Sequence, residues 1–171
     1  MNVKIIKLLT VLLLIWGNAF ASDFYPEKTA ERMVKSALKN KNISLGQRLE
    51  IAKTNGEKEP IVIYQINNGN LENIQFAVFT QARGRYDLFD YLLIISADAV
   101  IERVEVVKYR SEHGGEIASK RWLSQFQNYS SGELKYATDI SAISGATLSV
   151  KSITADIPEV MALVKKVFNE K

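Results

Sequence analysis

This 171-residue chain has few side chains with which to do chemistry. It contains no cysteine and a single histidine, His113. Disulfides, thiolate metal sites and cysteine nucleophiles are thereby excluded, and histidine-based metal sites and Ser-His triads lack the residues they need. Ser36 and Lys39 have the S-x-x-K spacing of certain serine acyl-enzymes, but they fall inside a helical pattern. Lys53-Thr54-Asn55 is not the Lys-Thr-Gly partner such an enzyme requires. No G-x-G-x-x-G or Walker sequence is present. No catalytic residue and no metal ligand is expected, so any reactive chemistry has to come from a group the chain binds.

The stretch that suits a bound group is ISGATLSVKSIT, residues 143–154. Ser144, Gly145, Ala146 and Thr147 have almost no side-chain volume and stand just ahead of a helical pattern. A helix starting near Thr147 or Leu148 directs its first amides, which have no intrahelical acceptor, towards this strip. Those amides and the positive end of the helix dipole favour an anion, commonly phosphate. From the residues alone three readings stand side by side: a tight turn, a helix start capped by Thr147, and an anion site. A second flexible stretch, SEHGGE at 111–116, carries Gly114-Gly115 between Glu112 and a Trp-bearing helical pattern.

The elements that must position these stretches read as follows. Residues 1–21 hold Lys4 and Lys7, a short apolar run from Leu8 to Trp16 and an Ala-Phe-Ala end, the pattern of a secretory signal peptide. The run is short for a bilayer-spanning helix, which needs about 20 apolar residues. Export to a periplasmic or other extracytoplasmic space, with cleavage near Ala21, is the expectation. This segment carries two of the 22 basic residues and none of the 19 acidic ones, so the remaining 150 residues have a net charge of +1. Basic and acidic residues are interspersed rather than gathered in a stripe, which excludes a nucleic-acid surface. Residues 22–171 fit a single domain with a core of its own.

Pro26-Glu27 opens a helix on which Ala30, Met33, Val34, Ala37 and Leu38 recur at helical spacing. After a polar stretch, EPIVIYQINNGN reads as a strand entering an Asn-Gly turn. Residues 74–96 read as two strands broken at 81–86, and Ala97-Asp98-Ala99 as a turn. IERVEVVKYR alternates as a half-buried antiparallel strand with one slip at Arg103-Val104. A helix is expected from about Glu116, with Ala118, Trp122, Leu123 and Phe126 on its apolar face, and a short strand at 134–136. A C-terminal helical region follows, kinked or divided at Pro158. The fold class is α+β: a mainly antiparallel sheet flanked by N-terminal and C-terminal helices.

Over residues 88–168 the chain resembles the FMN-binding domain family, which includes flavin-carrying components of the sodium-translocating NADH:quinone reductase and of the related Rnf complex. Ser144, Gly145, Ala146, Thr147 and Ser149 match its flavin-attachment motif. Tyr109, Glu112, Gly114, Gly115, Trp122 and Phe126 match a second segment of that family. The motif's acid would fall at position 141, where this chain has Ser141, and the nearest carboxylate is Asp139.

The resemblance implies FMN held by a phosphoester on Thr147, installed from FAD by a flavin transferase. The amides of residues 145–149, including Leu148, would stabilise its phosphate, with Lys151 adding positive charge. Tyr109, Glu112, Gly114 and Gly115 would line the ring. It implies an electron carrier working with a membrane or extracytoplasmic redox partner rather than a self-sufficient enzyme. Ser141 supports the alternative, a cell-envelope module that keeps the fold without the cofactor.

Overall fold

The structure, a computed structural model, describes residues 22–53, 59–69 and 73–169. The expected signal segment lies outside the described residues. Five strands, β1 (Ser44–Ile51), β2 (Ile61–Asn67), β3 (Gln75–Arg83), β4 (Leu88–Ser96) and β5 (Ile101–Lys108), form one antiparallel sheet in sequential order. Helix α1 (Glu27–Leu38) lies on one face and α3 (Thr147–Asn169) on the other. A short helix α2 (Lys120–Leu123) stands between two 3-10 turns, Gly115–Ala118 and Ser124–Phe126. The α+β class expected from the pattern is the class observed.

Alternation along the strands feeds two cores. Val62, Tyr64, Ala77, Phe79, Leu92 and Ile94 pack with Ala30, Val34 and Ala37 of α1. Ile61, Ile63, Val78, Phe89, Tyr91, Leu93 and Ile95 face the other way, against Val150, Ile153, Ile157, Val160, Met161 and Val164 of α3. Cover on both faces explains why YLLIIS is continuously apolar rather than alternating.

Several expectations are corrected. The polar stretch after α1 contains β1, an edge strand paired to β2 with a register shift between Leu45 and Arg48. The break between β3 and β4 is shorter than 81–86, because Gln81, Ala82 and Arg83 pair with Asp90, Phe89 and Leu88. The helix expected from Glu116 is broken into three short pieces, burying Ile117 while leaving Ala118 exposed. Residues 134–136 form no strand, only a bridge from Tyr136 to Ile140. Pro158 neither divides nor ends α3, which runs through it as one element.

The slip in β5 falls at Glu102, where Ile95 pairs with Ile101 and Ile94 with Arg103. A second shift skips Val107, so that Lys108 pairs with Asp90. Beyond it, Tyr109 packs with the core on the α3 face, whereas Arg110 reaches Asp90 on the α1 face. The chain leaving β5 is thus aimed at the start of α3.

Candidate functional site

Helix α3 begins at Thr147, which moves the cap position to Ala146, a residue with no side-chain oxygen. Gly145 at φ +82° makes the turn into the helix, a left-handed conformation that favours glycine. Ala146 is buried, its amide donating to Ile143 O at 3.2 Å and its carbonyl accepting from Val150 N at 2.9 Å. Thr147 is therefore the first helical residue and not the cap, and its side chain is exposed. The amides of Thr147, Leu148 and Ser149 precede the first intrahelical acceptor and carry the positive end of the dipole.

The second flexible stretch packs directly on this strip. Gly114 stands at φ +84°, and a Cβ built on it would come 3.1 Å from Ala146 Cβ and 2.9 Å from the Tyr109 hydroxyl. The Tyr109 hydroxyl donates to His113 O at 3.1 Å and lies 3.1 Å from Ser149 Oγ. A phenol has one proton, so Ser149 is the donor in the second bond. One tyrosine thus ties the end of β5, the glycine loop and the first turn of α3 together. The approach to the strip is fixed by Trp122 Nε1, which donates to Ser141 O at 2.8 Å, and by Gln125 Oε1, which accepts from Ser141 N at 2.9 Å.

The turn between β3 and β4 also reaches α3. Gly84 N donates to Asp87 O at 2.8 Å, and Arg83 N donates to Ser152 Oγ of α3 at 2.8 Å. This holds the turn that carries Arg85 and Tyr86 to α3. The result is a groove of about 220 Å³. It is lined by Gly145, Ala146, Thr147, Leu148 and Ser149 at the helix start, by Tyr109, Ser111 and His113 after β5, and by Arg85 and Tyr86 of the β3–β4 turn. The only formal charge among these side chains is the cation of Arg85. Tyr86 is 74% exposed and Leu148 53%, the two exposed large apolar side chains among the described residues, and both line this groove.

Of the residues named from sequence, Thr147, Gly145, Ala146, Leu148, Ser149 and Tyr109 meet at the groove. Gly114 lies behind it against Ala146. Glu112 and Ser144 are exposed and do not line it, and Gly115 opens the following 3-10 turn. Lys151 points elsewhere, with its ammonium 5.1 Å from the centre of the Tyr136 ring. Asp139 accepts from Lys135 N at 2.8 Å and is committed to its own loop. Trp122 and Phe126 are core residues in edge-to-face contact. Arg85 and Tyr86 escaped the sequence reading because a strand-to-strand turn carries no signal for a partner so far along the chain.

A larger cleft of about 460 Å³ lies on the α1 face, near Tyr25, Gln81 and Asp90. Its buried carboxylate is already saturated. Asp90 accepts from Tyr25 OH at 2.7 Å, from Gln81 Nε2 at 2.7 Å, and from both terminal nitrogens of Arg110 at 2.7 and 2.9 Å. Burial, then the hydrogen bond and charge of Asp90, push the Tyr25 phenol above the ordinary tyrosine range. This network ties α1 to the sheet, whereas the smaller groove gathers the open donors.

Compared with known proteins, the chain matches no family model, and no curated protein matches it in sequence.

Proposed function

We propose that this chain is an exported flavoprotein that holds FMN through the Thr147 hydroxyl and passes electrons to a protein partner. One observation carries this reading. The groove joins an exposed threonine hydroxyl and open helix-start amides to two exposed apolar side chains, Tyr86 and Leu148. Anion-binding groups beside uncovered aromatic surface suit a phosphate attached to a flat ring. The residues fit the group: among the described residues no carboxylate lines the groove to repel a phosphate, and Arg85 supplies a cation.

The exposed Thr147 hydroxyl would be the attachment point. Its Oγ would take the FMN phosphorus from FAD with release of AMP and of the hydroxyl proton, a transfer that a separate flavin transferase would catalyse. The amides of residues 147–149 would hold the phosphate charge, and Ala146 would let it approach the backbone. Tyr109, bonded to His113 O and Ser149, ties the glycine loop to the start of α3. FMN, when bound, supplies one- and two-electron redox chemistry, while the chain sets its orientation and surroundings. At about 220 Å³ the groove is smaller than the roughly 300–1,000 Å³ of sites that enclose a ligand. A ring edge left open suits a carrier that docks with redox partners better than an enzyme with its own substrate pocket.

Ser141 in place of the motif acid favours a second reading, an envelope module that keeps the fold without FMN. Co-expression of the exported chain with a flavin transferase separates the two. A yellow protein heavier by one FMN less one water, with both features lost in Thr147→Ala, supports the carrier. A colourless protein at bare mass supports the module.

A further inference from the structure

We propose that Tyr86 is the stacking partner of the flavin ring, so that the β3–β4 turn, outside the residues carrying the family resemblance at the helix start, supplies the ring-recognition element of the groove. The inference rests on the FMN reading above and assigns a role to a turn that reading does not use.

Tyr86 is 74% exposed although its turn is firmly held, by Gly84 N to Asp87 O at 2.8 Å and by Arg83 N to Ser152 Oγ at 2.8 Å. The second bond anchors the turn to α3 just beyond its first turn, which carries Thr147. Ring and attachment point therefore share one rigid support. The Arg85 guanidinium carbon lies 5.2 Å from the centre of the Tyr86 ring, within cation–π range. Arg85 engages the phenol ring, and most of the Tyr86 surface stays exposed for a further partner. Leu148, 53% exposed, offers a second apolar surface in the same groove. A planar heteroaromatic between Tyr86 and Leu148 covers both, and its phosphate tether reaches Thr147 on the same helical turn as Leu148. Aromatic pairs stack with centroids about 4.5–7 Å apart and add energy beyond buried area. Neither Arg85 nor Tyr86 contributes to either core, so substitution there leaves packing intact.

The test uses the full exported chain co-expressed with flavin transferase, in unsubstituted, Tyr86→Ala and Tyr86→Trp forms. Intact mass reports the attached FMN, and the ratio of native to denatured flavin fluorescence reports stacking, because a ring in contact with tyrosine or tryptophan is quenched. Quenched native fluorescence is expected in the unsubstituted chain and in Tyr86→Trp. In Tyr86→Ala the attached flavin is expected to be nearly as bright as after denaturation. A second arm removes the covalent bond with Thr147→Ala and titrates FMN, riboflavin and inorganic phosphate. Adding Tyr86→Ala is expected to weaken FMN and riboflavin by up to about tenfold, the size of one aromatic pair, and to leave phosphate unchanged. Attached FMN whose fluorescence is indifferent to Tyr86 overturns this inference alone. So does binding of phosphate without binding of riboflavin. Failure of the unsubstituted chain to acquire FMN overturns the functional reading and this inference with it.

Discussion

Gly114 and Gly115 stand together in the sequence but have opposite roles, and a paired substitution exposes the difference. Gly114 adopts φ +84°, and a Cβ there meets Ala146 Cβ at 3.1 Å, Ala146 Cα at 3.3 Å and the Tyr109 hydroxyl at 2.9 Å. The left-handed conformation costs a residue with a Cβ about 1–2 kcal/mol. The tyrosine tip can yield, but Ala146 belongs to the strip fixed at the start of α3, and overpacking of this kind costs about 1–3 kcal/mol. Gly114→Ala is therefore expected to lose about 2–5 kcal/mol, a substantial part of the roughly 5–15 kcal/mol of a folded domain. At about 2–4 °C per kcal/mol for a chain of this size, the midpoint falls by about 4–20 °C. Gly115 has no heavy atom within 4 Å of its added Cβ and no positive φ. Gly115→Ala is expected to be neutral or to gain up to about 1 kcal/mol through the unfolded chain. Urea unfolding followed by tryptophan fluorescence measures both. A Gly114→Ala chain as stable as Gly115→Ala would refute the packing of the glycine loop on Ala146, and with it the assembly of the groove.

Three further outcomes follow from the same structure. Asp156→Ala removes the carboxylate 2.8 Å from the Lys53 ammonium, whose side chain is 1% exposed; breaking such a buried pair costs about 3–5 kcal/mol, and urea unfolding should show it, with Lys53→Met added to Asp156→Leu recovering most of the loss. The Tyr25 phenol, raised by burial and by Asp90, contributes stability that is complete below the unfolded tyrosine pKa of about 10 and is lost as pH climbs beyond it. Tyr25→Phe should flatten that alkaline decline in denaturation curves by at most about one proton's worth, since Tyr64 and Tyr129 shift the same way; an unchanged alkaline slope would contradict the placement of Tyr25. Thr80 Oγ1 is buried without a hydrogen-bond partner among the described residues, so Thr80→Val should be neutral or stabilising by up to about 1 kcal/mol, whereas a clear loss in the unfolding midpoint would reveal a partner.

How far the fold was legible depended on local signal. β2 through β5 and both long helices announce themselves because they are apolar at the right period. β1 does not, since SLGQRLEI is an edge strand whose residues are mostly half-exposed and whose pairing is set by β2. The segment from Glu116 reads as one helix because Trp122, Leu123 and Phe126 keep helical spacing. Yet the bond from Ser119 N to Glu116 O and an extended Ser119 interrupt it, as Trp122 Nε1 turns to Ser141 O. Pro158 does not divide α3: burial of Ile157, Val160 and Met161 against the sheet holds the helix together across the missing hydrogen bond.

At the groove, Tyr109 came only from the family resemblance, whereas the helix start was legible from its small residues. Arg85 and Tyr86 were not, because their place depends on a bond from the backbone of β3 to Ser152. Glu112 was drawn in by its match to the second segment and Lys151 by its place next to the first. Their side chains turn away, one to solvent and the other to Tyr136.

The most direct measurement is peptide mapping of the exported chain after co-expression with flavin transferase. Tryptic cleavage after Lys135 and Lys151 releases residues 136–151, which contain Thr147 and both motif serines. This peptide is expected to carry FMN less one water, with fragmentation placing the adduct on Thr147, and Ser141→Asp is expected to raise the modified fraction. An unmodified peptide in both the natural chain and Ser141→Asp, or an adduct on any other residue, would contradict attachment at Thr147.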